Sequence, residues 1–220
     1  MTWVDLGNPY LLAEPRSYQP LRWPTGKRIE LVDQVPSEAR GFAQIALERR
    51  TRYGFGPVSL DSLGSLFLLT NRVQSLGTQQ LGFALSKRPA PSAGAIHPIH
   101  IVVHVGRNGG WYRYDPVDHV LIELSSSIQP QTVRAAMNQI VEGGDAALVL
   151  FVAEPGKTFA KYGDACSLVW RDAGVLLGYF SLAAEALDLS FCPLGVTGEP
   201  WGGRLINEAG LIGVGAAFVG

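Results

Sequence analysis

The sequence predicts an α+β fold in which a central, mostly antiparallel sheet is packed by helices. Three observations carry that expectation. "IHIVVHV", "WYRY" and "HVLIEL" follow one another with only "GRNGG" and "DPVD" between them, and so read as an antiparallel meander. "AALVLFVA", residues 146–153, is apolar without alternation, which suits a strand covered on both faces. The stretch from about Cys166 to Leu187 is apolar nearly all round a helix, so it belongs at the centre, a long buried helix.

The elements follow in order. Residues 1–36, rich in proline and aromatics without a sustained period, read as an N-terminal arm packed on the domain formed by residues 37–220, with one short strand at "RIELV". Ser37 is placed to cap a helix through "EARGFAQIALERR", whose Phe42, Ile45 and Ala46 form an apolar stripe. "GFGP" stops it, and Ser59 opens "LDSLGSLFLLTNRV", with Leu63, Leu66, Phe67 and Leu69 or Thr70 toward a core. "QSLGTQQLGFALSKRPAPSAGA" reads as a loop of low order leading into the meander. "QTVRAAMNQIV" is a helix before the buried strand, "PWGGRLINEAG" holds a short helix, and "LIGVGAAFV" is the last strand. No repeat and no long linker divides the chain.

Composition narrows the function. With 47% hydrophobic and 17% charged residues, the 220-residue chain has material for a substantial core. Its formal charge of -1 comes from interleaved acids and bases, a balance that favours neither nucleic acid nor an anionic membrane surface. "MTWVDLGNPYLL" lacks the basic start and apolar run of a signal peptide, and "AGVLLGYFSLAA" is short of the ~20 residues that cross a bilayer; the expectation is a cytoplasmic protein. In that compartment Cys166 and Cys192 are expected as free core thiols.

Several clusters carry possible chemistry. His97, His100 and His104 resemble a metal-ligand spacing, but on a strand His100 and His104 share a face while His97 lies in the preceding turn, so the three do not converge on a metal. They read instead as histidines of a partly solvated face. The basic run "ERRTRYGF" is either a helix end favoured by the dipole or an anion clamp made of paired guanidiniums and a threonine hydroxyl. "PAPSAGAIHP" is either a tight turn or a surface on which a flat ligand lies against the backbone, with the Ser92 hydroxyl as a partner; "CPLGV" has the same two readings. In "AKYGD", Lys161 stands next to Tyr162. A lysine near a phenol favours the phenolate and makes a general base of it, although neighbours in sequence need an irregular turn, such as Gly163 permits, to meet.

In order, "RRTRYGF", "PSAGAIHP", "YRYDPVDHVLIEL", "KYGDA", "AGVLLGYFSLAAEALDL" and "CPLGV" resemble the nitroreductase superfamily, and within it the SagB-type branch of azoline (thiazole/oxazole) dehydrogenases. That family has an "RRSxR"-like opening, a "PSAGALYP"-like loop, "YxYDPxxHxL", "KYGxR", a long apolar helix and a "CPIGG"-like segment. The resemblance runs from about residue 37 to 220 and implies an FMN-binding fold and a homodimer with flavins at the subunit interface. It implies Arg49, Arg50 and Thr51 at the FMN phosphate and ribityl end. Pro91, Ser92, Ala93 and Gly94 would line the isoalloxazine ring, and Pro193, Leu194 and Gly195 its other side. Lys161 and Tyr162 are implied as the catalytic base of azoline oxidation, in a biosynthetic complex with a cyclodehydratase and a precursor peptide. The chain departs from the pattern at Tyr53, His97, Ala165 and Leu168, the last two standing where the family has arginines. A second class of function is therefore a flavin-poor scaffold or partner subunit of such a complex.

Overall fold

The computed structural model describes residues 4–35, 40–106, 108–206 and 208–220. The chain opens with two short strands, β1 (Tyr10–Leu11) and β2 (Arg28–Glu30), followed by helices α1 (Phe42–Glu48) and α2 (Leu60–Thr70). A two-stranded ribbon, β3 (Ser75–Leu76) and β4 (Ser86–Lys87), precedes a 3-10 turn at Ala93–Ala95 and the meander β5 (Ile99–His104), β6 (Trp111–Asp115) and β7 (Val120–Leu124). Then come α3 (Pro130–Asn138), β8 (Ala147–Ala153), α4 (Pro155–Phe159), β9 (Tyr162–Gly163), α5 (Cys166–Ala186), β10 (Phe191–Pro193), a 3-10 turn at Gly202–Arg204, and β11 (Ile212–Val219).

Seven strands form one sheet in the order β10-β11-β8-β5-β6-β7-β2, and every neighbouring pair is antiparallel. β8, third in that order between β11 and β5, is fully buried, and its pleat divides the core. Ala147, Val149, Phe151 and Ala153 face α2 and α5, where Leu63, Leu66, Phe67 and Phe180 meet them. Leu148, Leu150 and Val152 face the opposite layer, built from α3 with Leu205, Ile206 and Leu211. Each of those large side chains stabilises the fold by roughly 1.5–3 kcal/mol through burial alone. Ser59 caps α2 as expected, its Oγ accepting from the Ser62 N–H at 3.0 Å.

One irregularity interrupts the sheet. β5 pairs with β8 along its whole length, Ile99 to His104, and β6 pairs with β7 from Trp111 to Asp115. Between β5 and β6 the ladder covers only Val102–His104 against Trp111–Arg113. Beyond Val102 the two strands part like a fork.

Other expectations need correction. Ser37 lies outside the described residues, and α1 starts after Gly41 with no side-chain cap. Only Ile45 of its stripe is buried; Phe42 and Ala46 are exposed because the helix meets its neighbours along a narrow edge. The low-order loop holds the β3–β4 ribbon, too short for any period to show. His104 is fully buried rather than part of a solvated face, and Cys166 is exposed rather than a core thiol, since it sits in the first turn of α5; both cysteines are free. The short helix expected in "PWGGRLINEAG" is the 3-10 turn at Gly202–Arg204. Among the described residues no helix is long and apolar enough to cross a membrane.

Candidate functional site

The expected site residues fall into two groups at opposite ends of α5. At its N-terminal end the small-residue loop meets the Lys-Tyr pair. Asp172, one turn and a half into α5 and 8% exposed, accepts from Ser92 Oγ at 2.6 Å and from the Ala93 N–H at 3.0 Å. Ser92 Oγ in turn accepts from the His97 N–H at 2.9 Å. The hydroxyl offered to a ligand by sequence reasoning therefore holds the loop's shape. Burial pushes the Asp172 carboxyl up, while these two bonds pull it back.

Gly94 has φ +64° and faces the pair: a methyl group there would stand 2.7 Å from Tyr162 Oη and 3.0 Å from Lys161 Nζ. Lys161 Nζ also lies 5.7 Å from the centre of the Tyr162 ring. The irregular turn that this requires is present, with Asp164 next to Gly163 at φ +46°. Lys161, Tyr162 and Gly94 thus converge on one point. Pro91, Ser92, Ala95, Arg88 and His97, with the β3–β4 ribbon, line an adjoining open cleft of about 350 Å³.

The N-terminal arm secures this corner. β1 pairs antiparallel with β9, Tyr10 opposite Gly163 and Leu11 opposite Tyr162. The Leu12 N–H donates to Lys161 O at 3.0 Å, and the Arg16 N–H to Ala160 O at 2.7 Å. Gly163 leaves room for the Tyr10 ring, which a Cβ would approach to 2.3 Å. Further along, the Leu21 N–H and His100 Nε2 donate to the buried Glu154 at 2.7 and 2.8 Å. His100 donates as a neutral ring, its pKa lowered by burial to about 4.

At the other end of α5, Arg52 Nη2 reaches Glu185 Oε1 at 2.5 Å, and Arg40 joins it with bonds to Glu185 and Asp188. Those ion pairs fasten the segments on both sides of α1 to α5, Arg40 before it and Arg52 after it. Arg49 and Arg50 stand exposed beside them on an open, polar cleft of about 480 Å³, with no side-chain partner among the described residues. Thr51 is exposed with them. Three residues on, Gly54 O accepts from Ser190 Oγ at 2.8 Å, which ties the loop to the start of β10. Pro193 ends β10 at the sheet edge; Leu194 is buried, its N–H donating to Ala216 O, and Gly195 is exposed.

A family model described as the nitroreductase family matches residues 47–201, most of the chain. The chain belongs to the nitroreductase family. Its fold is shared by solved structures of this kind. One, a nitroreductase-type protein from Ralstonia eutropha JMP134, superposes with a TM-score of 0.65 at 19% identity, over 94% of this chain and 96% of that one. A nitroreductase-type protein from Anabaena variabilis ATCC 29413 gives 0.65 at 18% identity, over 91% of this chain and 40% of that one. The E. coli microcin synthetase McbBCD complex with truncated pro-MccB17 bound gives 0.60 at 15% identity, over 84% of this chain and 74% of the matched chain. No curated protein matches.

Within the nitroreductase fold, the departures from the expected pattern take structural places. Ala165 is fully buried before α5, Leu168 is half-buried, and Tyr53 is exposed. His97 is buried at φ +49°, donating from Nε2 to Ser86 O at 2.9 Å, and desolvation lowers its pKa to about 3. Sequence reasoning missed Asp172 as the loop's anchor. The available signal was an acid inside an otherwise apolar helix.

Proposed function

We propose that this nitroreductase-family chain is an FMN-dependent oxidoreductase that oxidises azoline rings in a modified peptide or a related small heterocycle. The observation that carries the reading is the convergence of Lys161 Nζ and Tyr162 Oη on Gly94, in a loop whose small side chains leave a face open. The likeness to a microcin synthetase complex with truncated pro-MccB17 bound supports a peptide substrate and a biosynthetic assembly.

The residues present fit FMN. Arg49 and Arg50, exposed and unpaired among the described residues, and the Thr51 hydroxyl suit its phosphate. Pro91, Ser92, Ala93 and Gly94 supply a wall without bulk for the ring, and Pro193, Leu194 and Gly195 a second wall. Bound FMN supplies the acceptor for the hydride leaving the azoline. Tyr162 Oη accepts the ring proton lost in the same oxidation, and Lys161 Nζ places a cation beside it. Asp172 keeps the loop in the shape that admits the substrate.

A second copy completes the site. Ser92 and Arg52 attach to α5 at Asp172 and Glu185, about 20 Å apart along a helix rising 1.5 Å per residue. Midway between them lie Gly178 and Tyr179, on an outer face with Trp170, Gly174 and Val175 that is open to solvent. A Cβ at Gly174 or Gly178 would meet nothing within 4 Å. Two such helices crossing antiparallel at Gly178 would set the Ser92 end of one copy level with the Arg52 end of the other.

The test is direct. Purified protein should be yellow and hold FMN, and Lys161→Ala and Tyr162→Phe should abolish azoline oxidation with FMN still bound. Full turnover in both variants removes the pair from the base role. Protein that stays colourless with added FMN overturns the enzyme reading in favour of a scaffold subunit.

A further inference from the structure

The fork between β5 and β6 encloses a cavity of about 170 Å³, lined by Arg88, Arg113, Lys157, His97, His100 and Asp115 among others. A water's share of liquid volume is ~30 Å³, so the space exceeds what one or two waters would fill. We infer that this fork is an oxyanion pocket, in which Arg88, Arg113 and Lys157 take a carboxylate or phosphate group. The inference is independent of the flavin reading.

The donors are in place and incompletely used. Arg88 donates from Nε to Ser86 Oγ at 3.0 Å and from Nη1 to Asn71 Oδ1 at 3.2 Å, which leaves Nη2 without a partner among the described residues. Arg113 Nε is buried and unpartnered. Lys157 Nζ makes one bond, to His97 O at 3.3 Å, and lies 4.9 Å from the centre of the Phe83 ring. A buried charged donor without a partner is costly, so Arg113 Nε favours a ligand that supplies an acceptor.

The acids do not fill that role. Asp115 is the acid on the lining, and its oxygens already accept from the Val117 and Asp118 N–H groups at 3.0 and 3.3 Å and from Arg113 Nη2 at 3.2 Å. Glu154 is held behind His100 by Leu21 and His100 itself. Both histidines are neutral at pH 7 and add no charge. Burial, and after it the field of Arg88, lowers both His97 and Lys157. Three cations therefore line the cavity against one committed acid on its wall, Asp115, with Glu154 acting on Lys157 from behind His100. Arg88 and His97 also line the cleft beside Pro91 and Ser92, so an anion in the fork adjoins the proposed ring site.

The experiment is a titration of the intact protein with inorganic phosphate and, separately, acetate at constant ionic strength, followed by imidazole 15N resonances. His97 and His100 should shift saturably while His104 and His119, outside the cavity, stay put. Lys157→Met should weaken binding roughly tenfold or more, as loss of a charged hydrogen bond does. The paired Arg49→Ala, Arg50→Ala variant should bind unchanged, which separates this pocket from the proposed FMN phosphate site. A response to phosphate alone assigns a phosphoryl ligand, and one to acetate a carboxylate such as a substrate side chain. Equal shifts in all four histidines, no shift in wild type, or an undiminished response in Lys157→Met overturns the pocket.

Discussion

A carboxylate inside an apolar helix is costly unless donors meet it, and Asp172 meets two, Ser92 Oγ and the Ala93 N–H. Its removal frees a loop that nothing else holds as closely. Asp172→Ala is expected to lower stability by about 1–3 kcal/mol in denaturant titration and to weaken FMN retention. Asp172→Asn, which keeps an acceptor for Ala93, should cost less. Gly94→Ala acts differently. A side chain at φ +64° strains the backbone by about 1–2 kcal/mol, and the added methyl displaces Tyr162 Oη and Lys161 Nζ. Its turnover should fall by far more than its melting temperature suggests; a variant with normal kcat would mean that the pair does not act from beside Gly94. None of this geometry was legible in the sequence. "PSAGA" announced a tight approach by its lack of bulk, but not which side chains would approach.

Elements whose own residues determine them were readable. β8 stood out as an unbroken apolar run, α2 by Ser59 and its 3.6-residue stripe, and the meander by its turns. Two-residue ladders were not, because β1 and β9 or β3 and β4 exist only through the partner that each finds elsewhere in the chain. α5 was found as a helix, yet its sequence does not tell a face against the sheet from one open to a second copy: both are apolar. Gly178→Arg tests the second face. The proposed crossing leaves no space for a guanidinium, so light scattering should report a monomer that has lost FMN, whereas an unchanged dimer would place the contact elsewhere. On the arm, Gly163→Ala drives a Cβ into the Tyr10 ring. Amide exchange at Leu12 and Arg16 should quicken and turnover should drop, while the seven-stranded sheet keeps its protection.

For the whole molecule, the histidines set the acid limit of stability. Below pH 6.5 the unfolded chain protonates both His97 and His100, which the fold keeps neutral down to about pH 3 and about pH 4. Stability is therefore lost as pH falls from 6.5 toward 4, by up to roughly 1.4 kcal/mol per pH unit for each ring. His104 and His119 are lowered in the same direction and steepen the loss. Denaturant titrations between pH 7 and 4.5 should show this slope, and a flat profile would mean that the rings titrate in the fold. The sequence indicated the α+β layers correctly at this scale, because layer architecture follows from pattern. The halves of the site it joined by resemblance are separate in one chain, since distance across a helix leaves no trace in residue order. The pairing of β1 with β9 has its own consequence for synthesis. Tyr10 leaves the ribosome about 150 residues before Gly163. At ~5–20 residues per second, the arm waits on the order of 8–30 s for its partner strand, so the corner that holds Lys161 and Tyr162 forms only after residue 163 has been made.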